Sequence, residues 1–125
     1  MIDHVSLGTN IIARAKTFYT PVLAVLDMKL QAEESRELLY GAGTFVISIV
    51  VPLDGKPATA GNGTHIAFAA HDRAMVDRFY AVAMANGGSE DGAPGIRAEY
   101  DANYYGAFVR DPDGNKIEAL TLLSK

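Results

Sequence analysis

A histidine followed at a fixed distance by the dipeptide Phe-Tyr occurs twice in this chain, and this recurrence constrains the fold more than any other feature. Three residues return 61 positions later: His4, Phe18 and Tyr19 are followed by His65, Phe79 and Tyr80. Coincidence is the alternative, because 49% of the residues are apolar, but a single offset for all three favours an internal repeat. The 125 residues have the length of one ordinary domain. We therefore expect a single domain, residues 1–125, built from two copies of one module.

The hydrophobic pattern of the first module, residues 1–53, predicts the order βαβββ. Period-two alternation is typical of strands and apolar residues at helical spacing are typical of helices. The predicted elements are a strand over 2–7, a helix over 11–19, and strands over 29–34, 37–40 and 44–51. Asn10 is expected to cap the helix. Thr20-Pro21 predicts a kink followed by a further short turn, because proline removes a helical hydrogen bond.

The second module, residues 64–125, begins after a connector rich in Gly, Pro, Asn and Thr. A strand is predicted over 64–70 and a helix over 74–86, with Asp72 as its N-cap. The strand-then-helix order of the first module is thus repeated, which predicts an α+β fold.

The rest of the second module is predicted to be a loop and a hairpin. Residues 89–103 are polar and rich in glycine, so we expect only a short strand over 97–100, inside a loop that can move over a site. Strands over 104–111 and 116–123 flank the turn Pro112-Asp113-Gly114-Asn115, a strong hairpin signal.

The composition excludes several classes of site and partner. Without cysteine, the chain cannot form disulfides or bind zinc through thiolates, so any metal must be bound by imidazole and carboxylate groups. The net charge is -4 and the basic residues are scattered, which argues against nucleic acid as a partner. The first residues lack a signal-peptide pattern and no apolar stretch has the length of a membrane span. We therefore expect a cytoplasmic protein with no membrane partner.

The register of the final hairpin determines which residues share a face with Glu118. A loop of either two or four residues places Val109 opposite Glu118. One face is then expected to carry Tyr105, Ala107, Val109, Glu118, Leu120 and Leu122, and the other Phe108, Arg110, Ile117 and Ala119. Glu118 would lie among apolar side chains, where a carboxylate is costly to bury unless a cation or several donors meet it.

His4 and His65 hold equivalent positions in the two modules and are the available partners for Glu118. Two imidazoles and one carboxylate form a facial triad that leaves coordination positions open, which favours catalysis. Each residue also has an ordinary structural interpretation, because a strand histidine is more often a satisfied core or edge residue. Glu118 could likewise pair with Lys116 or Arg110. The three residues together predict a metal site.

Four segments of the chain resemble the vicinal oxygen chelate superfamily, also called the glyoxalase/bleomycin-resistance/dioxygenase group. They are Ile2-Asp3-His4-Val5, Ala15-Lys16-Thr17-Phe18-Tyr19, Thr64-His65-Ile66-Ala67-Phe68 and, most specifically, Phe108-Val109-Arg110-Asp111-Pro112-Asp113-Gly114-Asn115-Lys116-Ile117-Glu118. The resemblance covers nearly the whole chain. It implies two βαβββ modules forming a curved mixed sheet around a cavity, with a divalent metal held by side chains of the sheet. It also implies a homodimer with cavities built from both chains.

The resemblance assigns His4, His65 and Glu118 to three ligand positions of the family. The glyoxalase I pattern has a fourth, a glutamate in the last strand of the first module, and this position falls at Ser48, because residues 46–49 align with 116–119. Serine is a weak ligand and no base, which puts the glyoxalase I reaction itself in doubt. The expected ion is Zn²⁺, Ni²⁺, Mn²⁺ or Fe²⁺.

Two functions from different classes follow from these residues. The first is a metal-dependent enzyme that acts on a small oxygen-chelating substrate, by lyase or isomerase, extradiol-type dioxygenase or fosfomycin-resistance-type transferase chemistry. In it Glu118 and Tyr105 are the expected catalytic residues, and Ser48, Tyr104 and Arg97 are expected to bind substrate. The second is a non-catalytic protein that sequesters a drug or metabolite, as bleomycin-resistance proteins of this fold do. The complete ligand set argues against the second.

Overall fold

The computed structural model describes residues 1–124, and its elements alternate as the two-module pattern predicts. The first half contains β1 (Val5–Gly8), α1 (Ile12–Val25), β2 (Lys29–Glu34), β3 (Glu37–Ala42) and β4 (Thr44–Val50). The second half contains β5 (His65–Ala69), α2 (Arg73–Ala85), β6 (Ser89–Glu90), β7 (Gly95–Ile96), β8 (Tyr105–Arg110) and β9 (Lys116–Thr121). The α+β prediction is confirmed.

The strands form two mixed sheets, one from each half of the chain. Their orders are β1-β4-β3-β2 and β5-β9-β8-β6, with β7 paired to β8. In each sheet the first strand runs parallel to the last and lies at an edge. Ser6 lies opposite Ser48 in the first sheet, and Ala67 lies opposite Glu118 in the second. Ser48 and Glu118 are therefore equivalent positions of the repeat.

Helix α1 continues without a break through Pro21 to Val25, so the separate short turn predicted after Thr20-Pro21 is wrong. The neighbouring side chains Phe18, Val22 and Leu23 are fully buried. A proline inside a helix costs ~3 kcal/mol, whereas burying one large apolar side chain contributes ~1.5–3 kcal/mol. Burial of the apolar face therefore outweighs the lost hydrogen bond. None of the helices in residues 1–124 combines the length and apolar character that a membrane span needs.

Asn10 does not cap α1, contrary to prediction, because its side chain binds the connector between the modules. Its amide oxygen accepts a hydrogen bond of 2.7 Å from the backbone N–H of Ala58, and α1 begins without a side-chain cap. Asp72, by contrast, caps α2 through the N–H of Met75 as predicted. A side chain at a helix start has competing partners that only the packed chain brings within reach.

The final hairpin has a register one residue away from the predicted one. Phe108, not Val109, lies opposite Glu118. The strands continue to a 2.9 Å bond between Asp111 N–H and the Asn115 carbonyl, which leaves three residues in the loop, and Gly114 has a φ of 90°. Three-residue hairpin loops of this kind require a residue in the left-handed region. A loop with an odd number of residues shifts the strand register by one residue relative to the predicted even-numbered loop, which exchanges the faces assigned to β8 relative to β9.

The loop of residues 89–103 also differs from prediction. Two short strands, β6 and β7, pair with β8 on one side. The predicted strand over residues 97–100 is a turn, closed by hydrogen bonds from the N–H groups of Tyr100 and Asp101 to the Arg97 carbonyl. The backbone N–H of Arg97 makes one further hydrogen bond, to the Tyr104 carbonyl. The chain then leaves the sheet and returns to it at the start of β8.

Candidate functional site

Two side chains of the second half of the chain, His65 and Tyr104, meet at the buried carboxylate of Glu118. His65 and Glu118 lie on adjacent parallel strands, two residues apart in register and on the same face. His65 Nε2 lies 2.8 Å from Glu118 Oε1, and the hydroxyl of Tyr104 donates a hydrogen bond to Oε2. The Glu118 side chain is only 1% exposed, and a carboxylate so buried is costly unless paired. Both of its oxygens have partners.

Tyr104 is held as a hydrogen-bond donor. Burial raises the pKa of its hydroxyl, and the hydrogen bond to Glu118 raises this pKa further. The proton therefore remains on the tyrosine well beyond neutral pH. The group can donate to an oxygen, but it cannot act as a base in its protonated form.

Gly106 leaves room for this cluster. It lies two residues before Phe108 on β8, and a Cβ atom added there would be 3.0 Å from Glu118 Oε2 and 3.1 Å from a ring carbon of Tyr104. A larger residue would push on both side chains. The absence of a side chain at position 106 therefore allows the carboxylate and the phenol to approach each other.

An aromatic cavity opens beside the buried carboxylate. It has a volume of about 380 Å³ and is lined by His65, Tyr100, Tyr104, Phe108 and Glu118. The Tyr100 ring contacts Tyr104 edge to face, with 5.0 Å between ring centroids. Such walls suit the apolar body of a small molecule.

A second cavity, of about 570 Å³, also borders His65 and has cationic side chains in its walls. Its lining includes Arg110 and Lys116, which face each other across β8 and β9. Both approach one carboxylate, Asp91, at 3.0 Å and 3.6 Å respectively. Two cations thus share a single anion. Lys116 also lies over the Phe108 ring, 5.0 Å from its centroid.

The structure separates the other predicted site residues from this cluster. His4 lies in the first half of the chain, where Nδ1 is 2.8 Å from Asp3 and the ring packs on Phe45. Ser48 is buried and donates a 2.8 Å hydrogen bond to Glu37. Within residues 1–124, no three His, Asp or Glu side chains are grouped closely enough to hold a metal.

Tyr105 and Arg97 have different surroundings. The shifted register turns Tyr105 away from Glu118, and its hydroxyl donates to Asp77 of α2 at 2.6 Å. Tyr105 is therefore on the opposite face from the catalytic position expected for it. The Arg97 guanidinium lies over the ring of Phe108, 5.5 Å from its centroid, and Phe108 in turn lines the aromatic cavity.

Sequence reasoning missed the residues that share the true face of Glu118. The predicted register places Phe108 and Arg110 on the other face, and Lys116 enters only as an alternative ion-pair partner of Glu118. Gly114 was the available signal, because a glycine at the last position of the loop is typical of three-residue hairpin loops. Glu37 carried no signal, since its contact with Ser48 joins two strands.

Comparison with known proteins gives matches along almost the whole chain. Residues 1–119 match the sequence profile of the Glyoxalase/Bleomycin resistance protein/Dioxygenase superfamily. A crystal structure of a glyoxalase/bleomycin resistance protein from Albidiferax ferrireducens T118 is 37% identical, with a TM-score of 0.87 and coverage of 95% of this chain and 96% of that one. None of the curated proteins compared with the sequence matches it.

Two more distant structures share the fold. The lactoylglutathione lyase from Agrobacterium tumefaciens is 19% identical with a TM-score of 0.65, over 94% of this chain and 91% of that one. The fosfomycin resistance protein FosX from Mesorhizobium loti is 21% identical with a TM-score of 0.70, over 97% and 91%. The residues matched and the close structural relative together show that this chain belongs to the glyoxalase/bleomycin resistance protein/dioxygenase superfamily.

Proposed function

We propose that this protein is a metal-dependent enzyme acting on a small molecule, with His65 and Glu118 as two ligands of a divalent ion. The observation that carries the proposal is the Glu118 carboxylate, 1% exposed and 2.8 Å from His65 Nε2. Imidazole and carboxylate are suitable donors for Zn²⁺, Ni²⁺, Mn²⁺ or Fe²⁺, so the residues present fit such an ion. Members of the superfamily commonly use a divalent metal.

His4 is the candidate for the third ligand, supplied by a second copy of the chain. The other histidine, His71, is 75% exposed and lies 3.8 Å from Asp27 at the far end of β5. His4 lies just before β1, as His65 lies at the start of β5, and β1 and β5 are both edge strands. A homodimer in which the first module of one copy faces the second module of the other would complete the triad.

The side chains around the carboxylate have separable tasks. A bound divalent ion would supply Lewis-acid polarisation of substrate oxygens. Tyr104 would donate its hydroxyl proton in a hydrogen bond that orients the substrate, and Phe108 and Tyr100 would exclude water from one side. We propose Tyr104 for the role expected of Tyr105. Serine at position 48 does not favour one reaction class over another, so we keep both lyase or isomerase chemistry and dioxygenase chemistry in the proposal.

The substrate we propose carries an anionic group. Arg110 and Lys116 line the cavity next to His65 and share one carboxylate, Asp91, so a cationic surface remains for a ligand. The aromatic cavity adjoins it through His65. A phosphate or carboxylate attached to an apolar body would contact both.

The test is metal analysis of the protein purified without chelator, followed by His65→Ala and Glu118→Gln. We expect stoichiometric divalent metal in the wild type and its loss in both variants, because each removes a ligand. His71→Ala is the matched control and should retain the metal. Tyr104→Phe should retain the metal and lose turnover. A wild-type protein without stoichiometric metal, whose variants keep their fold and ligand affinity, would contradict the proposal.

The aromatic cavity supports a second candidate, a protein that sequesters a drug or metabolite. Walls formed by Tyr100, Tyr104 and Phe108 are what such a binder needs. The two candidates differ in their dependence on the metal ligands. Ligand affinity that survives Glu118→Gln, without turnover in the wild type, would favour the binder.

A further inference from the structure

The two sheets can be compared position by position, and they differ in which strand carries the acidic residue. Ser48 lies opposite Leu39 in the first sheet, and Glu118 lies opposite Phe108 in the second. Two residues earlier on the opposing strand is Glu37 in the first sheet and Gly106 in the second. The first sheet therefore has serine on its last strand and glutamate on its third, whereas the second has glutamate and glycine.

Glu37 extends across to the position of the missing carboxylate. Its Oε2 accepts a 2.8 Å hydrogen bond from Ser48 Oγ. Because Oγ is bonded directly to Cβ, the Glu37 carboxylate lies where a longer side chain at position 48 would carry its own carboxylate. The second sheet supports this placement, since a Cβ at Gly106 would start 3.0 Å from Glu118 Oε2.

The arrangement also has a purely structural interpretation. Ser48 is 1% exposed, so its hydroxyl needs an acceptor, and Glu37 satisfies this need. A carboxylate is nevertheless a costly choice on a partly buried strand position when a neutral acceptor would suffice. The repeat explains this cost, because the same face of the second sheet also holds a buried carboxylate.

We propose that Glu37 is the fourth protein ligand of the metal site, replacing the carboxylate that position 48 lacks. This inference rests on the proposed metal-dependent function. Glu37 and His4 from one copy of the chain would face His65 and Glu118 from the other. Each sheet then contributes one imidazole and one carboxylate, although the carboxylates come from different strands.

The experiment compares metal affinity, measured by calorimetric titration of the metal-free protein with Mn²⁺ and Ni²⁺. Glu37→Gln keeps the size and hydrogen-bonding capacity of the side chain while removing its charge. We expect its affinity to fall at least about tenfold, by analogy with the loss on altering groups around a metal. Glu34→Gln, at an exposed position on the neighbouring strand, is the control and should bind as the wild type does.

A second variant moves the carboxylate back to the last strand. Glu37→Gly combined with Ser48→Glu reproduces the pair found at Gly106 and Glu118, and we expect it to recover most of the affinity lost in Glu37→Gln. The electron paramagnetic resonance spectrum of bound Mn²⁺ should change in Glu37→Gln. In the double variant it should return towards the spectrum of the wild type. If Glu37→Gln does not fold, the double variant decides alone.

Three results would overturn the assignment, and they are distinguishable. If Glu37→Gln binds metal as the wild type does while His65→Ala does not, Glu37 serves only to satisfy Ser48 and the proposed metal function stands. If the wild type itself binds neither ion, the metal function fails and the role of Glu37 fails with it. Low affinity in a folded double variant also contradicts a shared carboxylate position.

Discussion

Lys116 has two neighbours that limit its freedom without neutralising the cavity it lines. Its ammonium group lies 3.6 Å from Asp91, which also accepts a hydrogen bond from Arg110, and it sits above the Phe108 ring. A cation over an aromatic face gains about 0.5–1 kcal/mol at exposed sites. These contacts hold the positive charge at the boundary between the cationic and aromatic cavities, where an anionic ligand would meet it.

The anionic-substrate proposal predicts a specific loss on substitution of Lys116. Phenyl phosphate should raise the thermal unfolding temperature of the wild type, because a ligand that binds only the folded state stabilises it. We expect a much smaller rise in Lys116→Ala. Lys29→Ala, on β2 of the other sheet, is the control. Equal rises in Lys116→Ala and the wild type would remove Lys116 from the ligand site.

At the scale of elements, the β8–β9 turn attaches the second module to the first. Asp113, with a side chain 2% exposed, accepts hydrogen bonds from the Thr9 hydroxyl at 2.6 Å and the Asn10 backbone N–H at 2.9 Å. Arg14 of α1 adds an ion pair at 2.7 Å. The Asn115 side chain donates to the carbonyl of Gly8 at 2.9 Å. The turn thereby fixes the end of β1 relative to the second sheet.

Asp113→Ala should lower the free energy of unfolding by about 1–3 kcal/mol, because the hydroxyl of the buried residue Thr9 loses its acceptor. The Arg14 pair adds little, since that side chain is 42% exposed and an exposed pair is screened by solvent. Urea denaturation measures the change. Asp54→Ala, in the exposed connector, is the control and should stay within about 0.5 kcal/mol of the wild type. Equal stability of the two variants would contradict the structural role given to the turn.

In the whole molecule, the candidate ligands of the first module and those of the second module belong to different sheets. The grouped pair His65 and Glu118 belongs to the second sheet, whereas Glu37 lies in the first sheet and His4 directly precedes its first strand. Each sheet ends in an unpaired edge strand within the described part of the chain, β1 in one and β5 in the other. An arrangement of two copies related by a two-fold axis would bring unlike sheets together twice, giving two equivalent sites.

The shared-site proposal predicts complementation between two metal-deficient variants. His4→Ala and Glu118→Gln should each bind no metal alone. After unfolding and refolding together in equal amounts, about one site in four should be intact, because half of the dimers are mixed and each mixed dimer has one unmodified site. Metal content after gel filtration measures this fraction. No recovery in a mixture shown to contain mixed dimers would contradict a site shared between copies.

The sequence alone determined the features that depend on local pattern. Hydrophobic spacing and turn residues are local features of the chain, so the order of helices and strands, apart from β6 and β7, and the Asp72 cap could be predicted. The repeat offset aligned His4 with His65, and the match of residues 46–49 to 116–119 aligned Ser48 with Glu118. The residues that define the family lie within these same segments.

Only the tertiary structure decided which of these residues meet. A three-residue loop with Gly114 at positive φ reversed the face assigned to Glu118, because side chains alternate and a shift of one residue exchanges the faces. Burial of the α1 face carried the helix through Pro21, and Ala58 took the side chain expected to cap it. Glu37 on β3 reaches Ser48 on the adjacent strand β4, a contact that depends on register and that the spacing of the sequence does not indicate.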